Sequence, residues 1–258
     1  HCLDEIPQSA QGKTIMTTEP KFVPSNGATI KIDEFTTNIK LIDCVGYVIP
    51  ESNGYEDENG NPRMVLTPWF KEPVDFTTAA EIGTEKVIKD HSTIGIVVTT
   101  DGSFGELKRE NYIEAEQKVI EELKSINKPF IVILNTTHPN ATTTINLADE
   151  LTRNYNVPVL PISVEKMSDY EIYEVLKAAL YEFPVENIKI KLPEWVHILN
   201  NNHKIKEEYI QKIKTSTLNI NKLKDVDLII NYFKESKYIT KAYISNVDTS
   251  TGIVNLNL

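Results

Sequence analysis

The chain has 258 residues, 40% hydrophobic and 25% charged, and 27 basic against 37 acidic side chains leave a net charge of −10. That composition excludes a disordered tail and a collagen-like chain. The acidic balance argues against a nucleic-acid binder that relies on phosphate neutralisation, and no apolar run reaches the roughly 18 residues that a transmembrane helix needs.

Cys2 and Cys44 lie far apart and without metal-ligand spacing, which fits a reducing cytoplasm better than a disulfide framework. In chain order, Gly12-Lys13-Thr14 is the first motif. It is not a phosphate-binding loop, because Pro7 stands where that motif needs its first Gly and no apolar strand precedes it. The segment Gln11 to Pro24 reads as a switch segment, with the Thr17-Thr18 pair able to put a hydroxyl on Mg²⁺ and a terminal phosphate. Spacing alone favours the plainer alternative, that Thr17 and Thr18 simply open a Phe22-Val23 strand.

From residue 30 to 183 predicted strands and helices alternate. Ile39 to Asp43 is a short apolar strand, followed by a helix over Thr78 to Asp90 with Thr78 and Glu81 as a capping box. Ile94 to Val98 is a near-continuous apolar run, the signature of a strand covered on both faces. The next helix opens at Asn111 and Glu114 and carries Tyr112, Ala115, Val119, Leu123 and Ile126 as its apolar stripe. Phe130 to Leu134 is a buried strand, and Leu147, Ala148, Leu151 and Tyr155 mark a helix. Val157 to Ile162 is a strand whose Pro158 and Pro161 put it at a sheet edge. Ser168 and Glu171 then cap a helix carrying Ile172, Leu176, Ala179 and Phe183.

This is β-α repeated four times, which implies an α/β fold with a parallel sheet sandwiched by helices. Ligands of such sheets sit at the carboxyl ends of the strands. After Pro184 the pattern changes: Ile188, Ile190 and Leu192 alternate, two helices follow (about Pro193 to Thr217 and Lys222 to Glu235), and a β-hairpin runs from Tyr238 to Leu258. The boundary is placed near residue 185, giving 1–184 as one domain and 185–258 as the start of an α+β domain. The chain opens on His1, and the alternation Val254, Leu256, Leu258 is still running at its last residue, so a fragment of a longer protein is expected.

Asp43-Cys44-Val45-Gly46 follows the first clear strand. An Asp at a strand end with Gly three residues on is the Asp-x-x-Gly arrangement of phosphate-loop nucleotidases: the carboxylate holds Mg²⁺, usually through water, and the Gly amide reaches the terminal phosphate. Tyr47 stands where many such enzymes carry a water-orienting Gln. After the later strand, Asn135-Thr136-Thr137-His138 occupies the place of the guanine-reading Asn-Lys-x-Asp. His138 supplies no carboxylate for guanine, so adenine or no base preference is expected. Glu51 to Met64 reads as a solvated acidic insertion rather than a calcium loop, because Tyr55 falls at its first ligand position. Trp69 and Phe70 read as core packing, and His197 and His203, six apart, assemble no metal site.

Several long strings go further. Pro7 to Ala10, Gly12 to Pro24, Asp43 to Tyr47, Gly54 to Gly60, Ala79 to Thr84, Tyr112 to Glu116 and Ala179 to Val185 together resemble the stage IV sporulation protein A family of endospore-forming bacteria, along essentially the whole chain. The resemblance implies an N-terminal P-loop ATPase domain related to translation-factor GTPases, followed by middle and C-terminal domains. It implies ATP and Mg²⁺ as cofactors, with a threonine pair as nucleotide sensor mapping onto Thr17 and Thr18, and the Mg²⁺-site Asp mapping onto Asp43. Gly46 and Asn135 join Thr17 and Thr18 as candidate nucleotide contacts.

By the same resemblance, hydrolysis drives self-assembly into the basement layer of the spore coat. That layer lies in the mother-cell cytoplasm on the forespore outer membrane surface, with other coat proteins and a small amphipathic membrane peptide as partners. The family's phosphate-binding loop, first strand and first helix lie upstream of Pro7, and its anchoring C-terminal region lies beyond Leu258, so these 258 residues alone are expected to be inactive. Two competing readings stand: a non-catalytic structural coat protein on a degenerate nucleotidase fold, and a translational or signalling GTPase, which His138 disfavours.

Overall fold

A computed structural model describes residues 22–33, 35–44, 46–52, 55–57, 59–67, 69–218, 220–248 and 251–258. These pack as two compact units, one of residues 22–28 and Ile39–Val175, the other of Thr29–Asn38 and Leu176–Leu258. Among the described residues no helix is long and apolar enough to cross a membrane.

β1 (Phe22–Ile32) and β2 (Phe35–Ile42) form a two-stranded sheet, and β3 (Met64–Val65) and β4 (Val74–Asp75) a minimal antiparallel pair. The strand expected at Ile39 to Asp43 is therefore the end of β2, but β2 is not hydrogen-bonded into the parallel sheet that the β-α alternation implies. α1 (Phe76–Lys86) starts two residues earlier than expected. Asp75, not Thr78, caps it: Asp75 Oδ1 accepts from the Thr78 amide at 2.9 Å and Oδ2 from the Thr78 hydroxyl at 2.7 Å. A carboxylate at this position also meets the positive end of the helix dipole, which a Thr cannot. Beyond Lys86 the helix widens into a π-helical turn over Val87–His91. Lys128 Nζ closes it by donating to the carbonyls of Ile88 (2.7 Å) and Ser92 (2.5 Å).

β5 (Gly95–Thr100), β6 (Phe130–Asn135) and β7 (Val159–Ile162) form a parallel sheet in the order β5-β6-β7. β6 is central, and Phe130 through Leu134 are buried, as a continuous apolar run demands. Among the described strands β7 stands at the sheet edge, where Pro161 fits because it offers no N–H to a further ladder. β5 departs from expectation. Val97 is buried, but Ile96 is 37% and Val98 60% exposed, so among the described residues β5 is covered on one face rather than both. Among the described strands it pairs with β6 alone.

α2 (Arg109–Ser125) and α3 (Thr142–Tyr155) follow β5 and β6. α2 buries Glu116, Ile120 and Leu123, and Val119 and Ile126 of the expected stripe pack partly buried against the same core. Tyr112, Ala115, Glu116, Val119 and Leu123 line a trough of about 410 Å³ beside β5. α4 (Asp169–Tyr181) is capped as its sequence foretells: the amide and hydroxyl of Ser168 donate to Glu171 Oε2, and the Glu171 amide donates back to Ser168 Oγ.

In the second unit, β8 (Asn187–Lys191) is followed by α5 (Glu194–Ile198) and α6 (Lys204–Ser216). The single helix expected over Pro193 to Thr217 is thus two, broken at the Asn200-Asn201-Asn202 turn. His203 restarts the chain by accepting the Ile205 amide on Nδ1 at 3.3 Å. α7 (Leu223–Lys234) buries Leu223, Val226, Ile230 and Phe233. β9 (Tyr243–Asp248) and β10 (Ile253–Asn257) make the expected antiparallel pair. β10 also pairs in parallel with β8, so it is the central strand, laddered on both edges.

Candidate functional site

Two groups of side chains in the first unit stand at strand ends. The first follows β2. Asp43 is exposed there, and its Oδ1 accepts the amide of Cys44 at 2.9 Å. Gly46 turns at φ +82, a conformation that costs any residue with a Cβ. Its amide donates to Thr84 Oγ1 at 2.9 Å, and the same hydroxyl donates back to the Gly46 carbonyl at 3.2 Å. Thr84 itself is buried on α1. Burial and the Asp43 carboxylate push the neighbouring Cys44 thiol up, partly offset by a hydrogen bond with Thr84.

The next residue, Tyr47, turns away from the strand end. Its phenol donates to Glu122 Oε2 on α2, and Lys118 Nζ sits 4.8 Å from the centre of its ring. Burial and the hydrogen bond to Glu122 raise the Tyr47 pKa, so the phenol stays protonated. Lys118 also pairs with Glu81 of α1 at 2.5 Å, and Asn111 reaches the Pro50 carbonyl at 3.3 Å. The loop after β2 is thus pinned onto α1 and α2 at separate points.

The second group lies at the ends of β5 and β6, with Asp101 at its centre. Asp101 Oδ1 accepts from the Ser103 amide (2.9 Å) and hydroxyl (2.5 Å), while Oδ2 accepts from Thr136 Oγ1 (2.6 Å) and Thr144 Oγ1 (3.3 Å). Burial alone would raise the Asp101 pKa, but the hydrogen bonds from Ser103, Thr136 and Thr144 outweigh it and hold the carboxyl below its usual range. Gly102 makes the turn possible: a Cβ there would lie 2.7 Å from the Arg109 backbone nitrogen. Thr136, at the Lys position of the guanine motif, is buried and bonded inward, and its hydroxyl also accepts the His138 amide at 3.1 Å. Asn135 Oδ1 accepts the Val164 amide at 3.1 Å, tying the end of β6 to the turn after β7.

Behind both groups, Glu116 is buried against Arg109 in a two-pronged ion pair of 2.6 and 2.8 Å. Arg109 also donates to Thr99 Oγ1 at 3.0 Å, and the Tyr155 phenol donates to Glu116 Oε1 at 2.5 Å. Burial works against the charged form of Glu116, but these partners overcome it and lower its pKa.

Asp43 and Gly46 thus share one loop and line the trough beside β5, which Asn135 does not line. Thr17 and Thr18 lie outside the described residues. Among the described residues no cluster of three or more His, Cys, Asp or Glu side chains could hold a metal ion. Asp43 fits a magnesium ion of the kind that keeps most of its waters and takes one carboxylate, because it is exposed and bonded only to its own neighbour among the described residues. Of the described residues between Glu51 and Met64, Asp57 is exposed and accepts the amides of Asn59 and Asn61 at 2.8 and 2.9 Å, whereas Tyr55 packs against Val65, Phe76 and Ala80. Trp69 is partly buried and packs across Gly83 of α1, whereas Phe70 is 40% exposed and not the core residue expected.

Sequence reasoning missed Asp101, Thr84 and the Glu116–Arg109 pair. Asp101 carried a signal, since it directly follows an apolar strand and precedes Gly102. Thr84 carried none, because its partner is 38 residues away.

The family model described as "Stage IV sporulation protein A, ATPase domain" matches residues 1–184, and that described as "Stage IV sporulation protein A, middle domain" matches residues 185–258. The chain is 48% identical over 256 residues to stage IV sporulation protein A of Bacillus anthracis and to that of Bacillus subtilis, and 49% identical to that of Clostridioides difficile. Each alignment covers 99% of this chain and 52% of the relative, so the chain spans about half the length of the curated relatives it matches. No solved structure matches it. With family models matched from the first residue to the last and such identity to three relatives, the chain belongs to the stage IV sporulation protein A family.

Proposed function

We propose that the full-length protein hydrolyses ATP to ADP and phosphate, and that turnover drives its own assembly into the basement layer of the spore coat. The observation that carries this reading is Asp43, exposed at the end of β2 three residues before a glycine at positive φ, inside the segment matched by an ATPase-domain model. Bound Mg·ATP supplies a scissile terminal phosphate whose charge the cation partly neutralises. Asp43 would hold the metal through water. A hydroxyl of Thr17 or Thr18 and the Gly46 amide would donate toward the terminal phosphate, and both loops relax once that partner is gone. Without an evident general base, positioning and electrostatics carry the rate.

The remaining parts of the reading follow the same residues. A strand bearing the phosphate-binding loop would lie along the edge of β5 that no described strand occupies. Asn135 belongs to the rim of the nucleotide site, and the absence of a carboxylate at His138 favours adenine over guanine. The ATPase domain ends near residue 184, where the middle domain begins. Partners are further copies of the protein, other coat proteins and a small amphipathic membrane peptide, on the mother-cell face of the forespore.

The test is phosphate release and polymer sedimentation with full-length protein. Thr17→Ala with Thr18→Ala, and separately Asp43→Asn, should abolish phosphate release or assembly in ATP, and GTP should be turned over more slowly than ATP. Unchanged hydrolysis and assembly in both variants refutes the site. A second reading, a structural coat protein without chemistry, draws on Tyr47, which stands in place of a water-orienting Gln and spends its phenol proton on Glu122. Assembly with no turnover would favour it.

A further inference from the structure

We propose that Thr84 is a positioning residue: its hydroxyl clasps Gly46 and holds the loop after β2 in a state that cannot engage a terminal phosphate. The inference rests on the nucleotide reading above and adds to it a built-in resting position.

One hydroxyl satisfies both backbone groups of Gly46, accepting from the amide at 2.9 Å and donating to the carbonyl at 3.2 Å. An amide so engaged has no proton to offer a phosphate oxygen. Thr84 is 1% exposed and sits on the face of α1 that also buries Phe76 and Ala80. The hydroxyl is therefore the fixed partner and Gly46 the movable one. Among the described residues, a Cβ built on Gly46 meets no atom within 4 Å, its chain neighbours aside. The clasp, rather than side-chain packing, is what holds the glycine at its φ of +82.

Release breaks both bonds together, because both meet at one oxygen. That makes Gly46 two-state instead of continuously movable, while Tyr47 and Pro50 stay tied to α2, and a two-state element is what a ligand can bias. A phosphate oxygen offers the Gly46 amide a charge-assisted bond, stronger than the neutral one to a hydroxyl. The clasp is thus breakable by the ligand but costs it affinity, since only the unclasped fraction binds. Serine preserves the two-way hydroxyl. Valine, of nearly the same shape, removes it.

The test uses full-length wild type, Thr84→Val and Thr84→Ser, with a non-hydrolysable ATP analogue and Mg²⁺ as probe. Without nucleotide, the Gly46 amide should exchange slowly in wild type and Thr84→Ser and at least about tenfold faster in Thr84→Val, the loss expected when its acceptor is removed. Thr84→Val should bind the analogue about fivefold more tightly and show a similarly lower KM with no rise in kcat, as expected when a resting state is depopulated. Thr84→Ser should match wild type in both. Equal or weaker binding by Thr84→Val, or a serine variant that behaves like valine, overturns the clasp while leaving the nucleotide reading intact. Wild type that binds no analogue overturns the nucleotide reading, and the clasp's role with it. Should Thr84→Val not fold, wild type decides: the Gly46 amide resonance must move when the analogue is added, and a resonance that stays put overturns the proposal.

Discussion

The two strand-end groups of the first unit are built from different chemistry. After β2, Gly46 hangs on one neutral hydroxyl and Tyr47 on one phenol at the rim of α2. At the ends of β5 and β6, the Asp101 carboxylate accepts four hydrogen bonds, from Ser103, Thr136 and Thr144, and Glu116 behind it is locked in a buried ion pair. Carboxylates that hold several donors at once are expensive to open, whereas the neutral hydroxyl on Gly46 and the one donor on Glu122 open more readily. The difference assigns the frame to β5 and β6 and the moving part to the loop after β2.

The largest way to break this comparison is Arg109→Met. It leaves Glu116, whose side chain is 1% exposed, without its counter-charge. Removing one partner of a buried pair costs about 3–5 kcal/mol, and amide exchange across β5 and β6 should report a loss of that size. A loss near zero would mean that the frame does not depend on the pair. Asp101→Asn comes next: the amide keeps one acceptor and loses the other, at about 2 kcal/mol for stranded hydroxyls, again read from exchange in β5 and β6.

The same residues set an acid limb. Asp101 and Glu116 both hold protons less tightly when folded than when unfolded, so unfolding takes up protons and acid favours it. Their contribution is complete above the ordinary carboxylate range, about pH 4, and is lost as pH falls through their lowered folded values. A stability profile measured from pH 7 downward should fall on that limb, and Asp101→Asn should flatten it.

How much of this was legible follows from where each feature keeps its partners. Phe130 to Leu134 could be read as a buried strand because burial on both faces writes itself as an unbroken apolar run. The Ser168 and Glu171 cap could be read because both partners lie within one helical turn. The break between α5 and α6 was written in Asn200 to Asn202 but outvoted by the apolar period on either side. Glu116 escaped because a buried carboxylate looks like a solvated one until Arg109 and Tyr155 are seen beside it. At the site, Asp43 and Gly46 could be paired from spacing, but the Thr84 hydroxyl that holds Gly46 lies on another element and leaves no local pattern.

The smallest prediction sharpens the comparison from the weak side. Tyr47→Phe removes the phenol that donates to Glu122 but keeps the ring that Lys118 covers at 4.8 Å. The Glu122 carboxylate is only half-buried, so water can replace the lost donor. The expected cost is therefore about 1 kcal/mol, confined to the loop, and amide exchange at Tyr47 and Val48 should rise while β5 and β6 stay unchanged. A loss that spread into β5 and β6 would show that the loop after β2 belongs to the frame, and the division between fixed and moving parts would fail. Tyr47→Ala adds loss of the ring, so its loop should open further than that of Tyr47→Phe by the cation–π contribution of roughly 0.5–1 kcal/mol. An alanine variant no worse than phenylalanine would leave the phenol as the tie between this segment and α2.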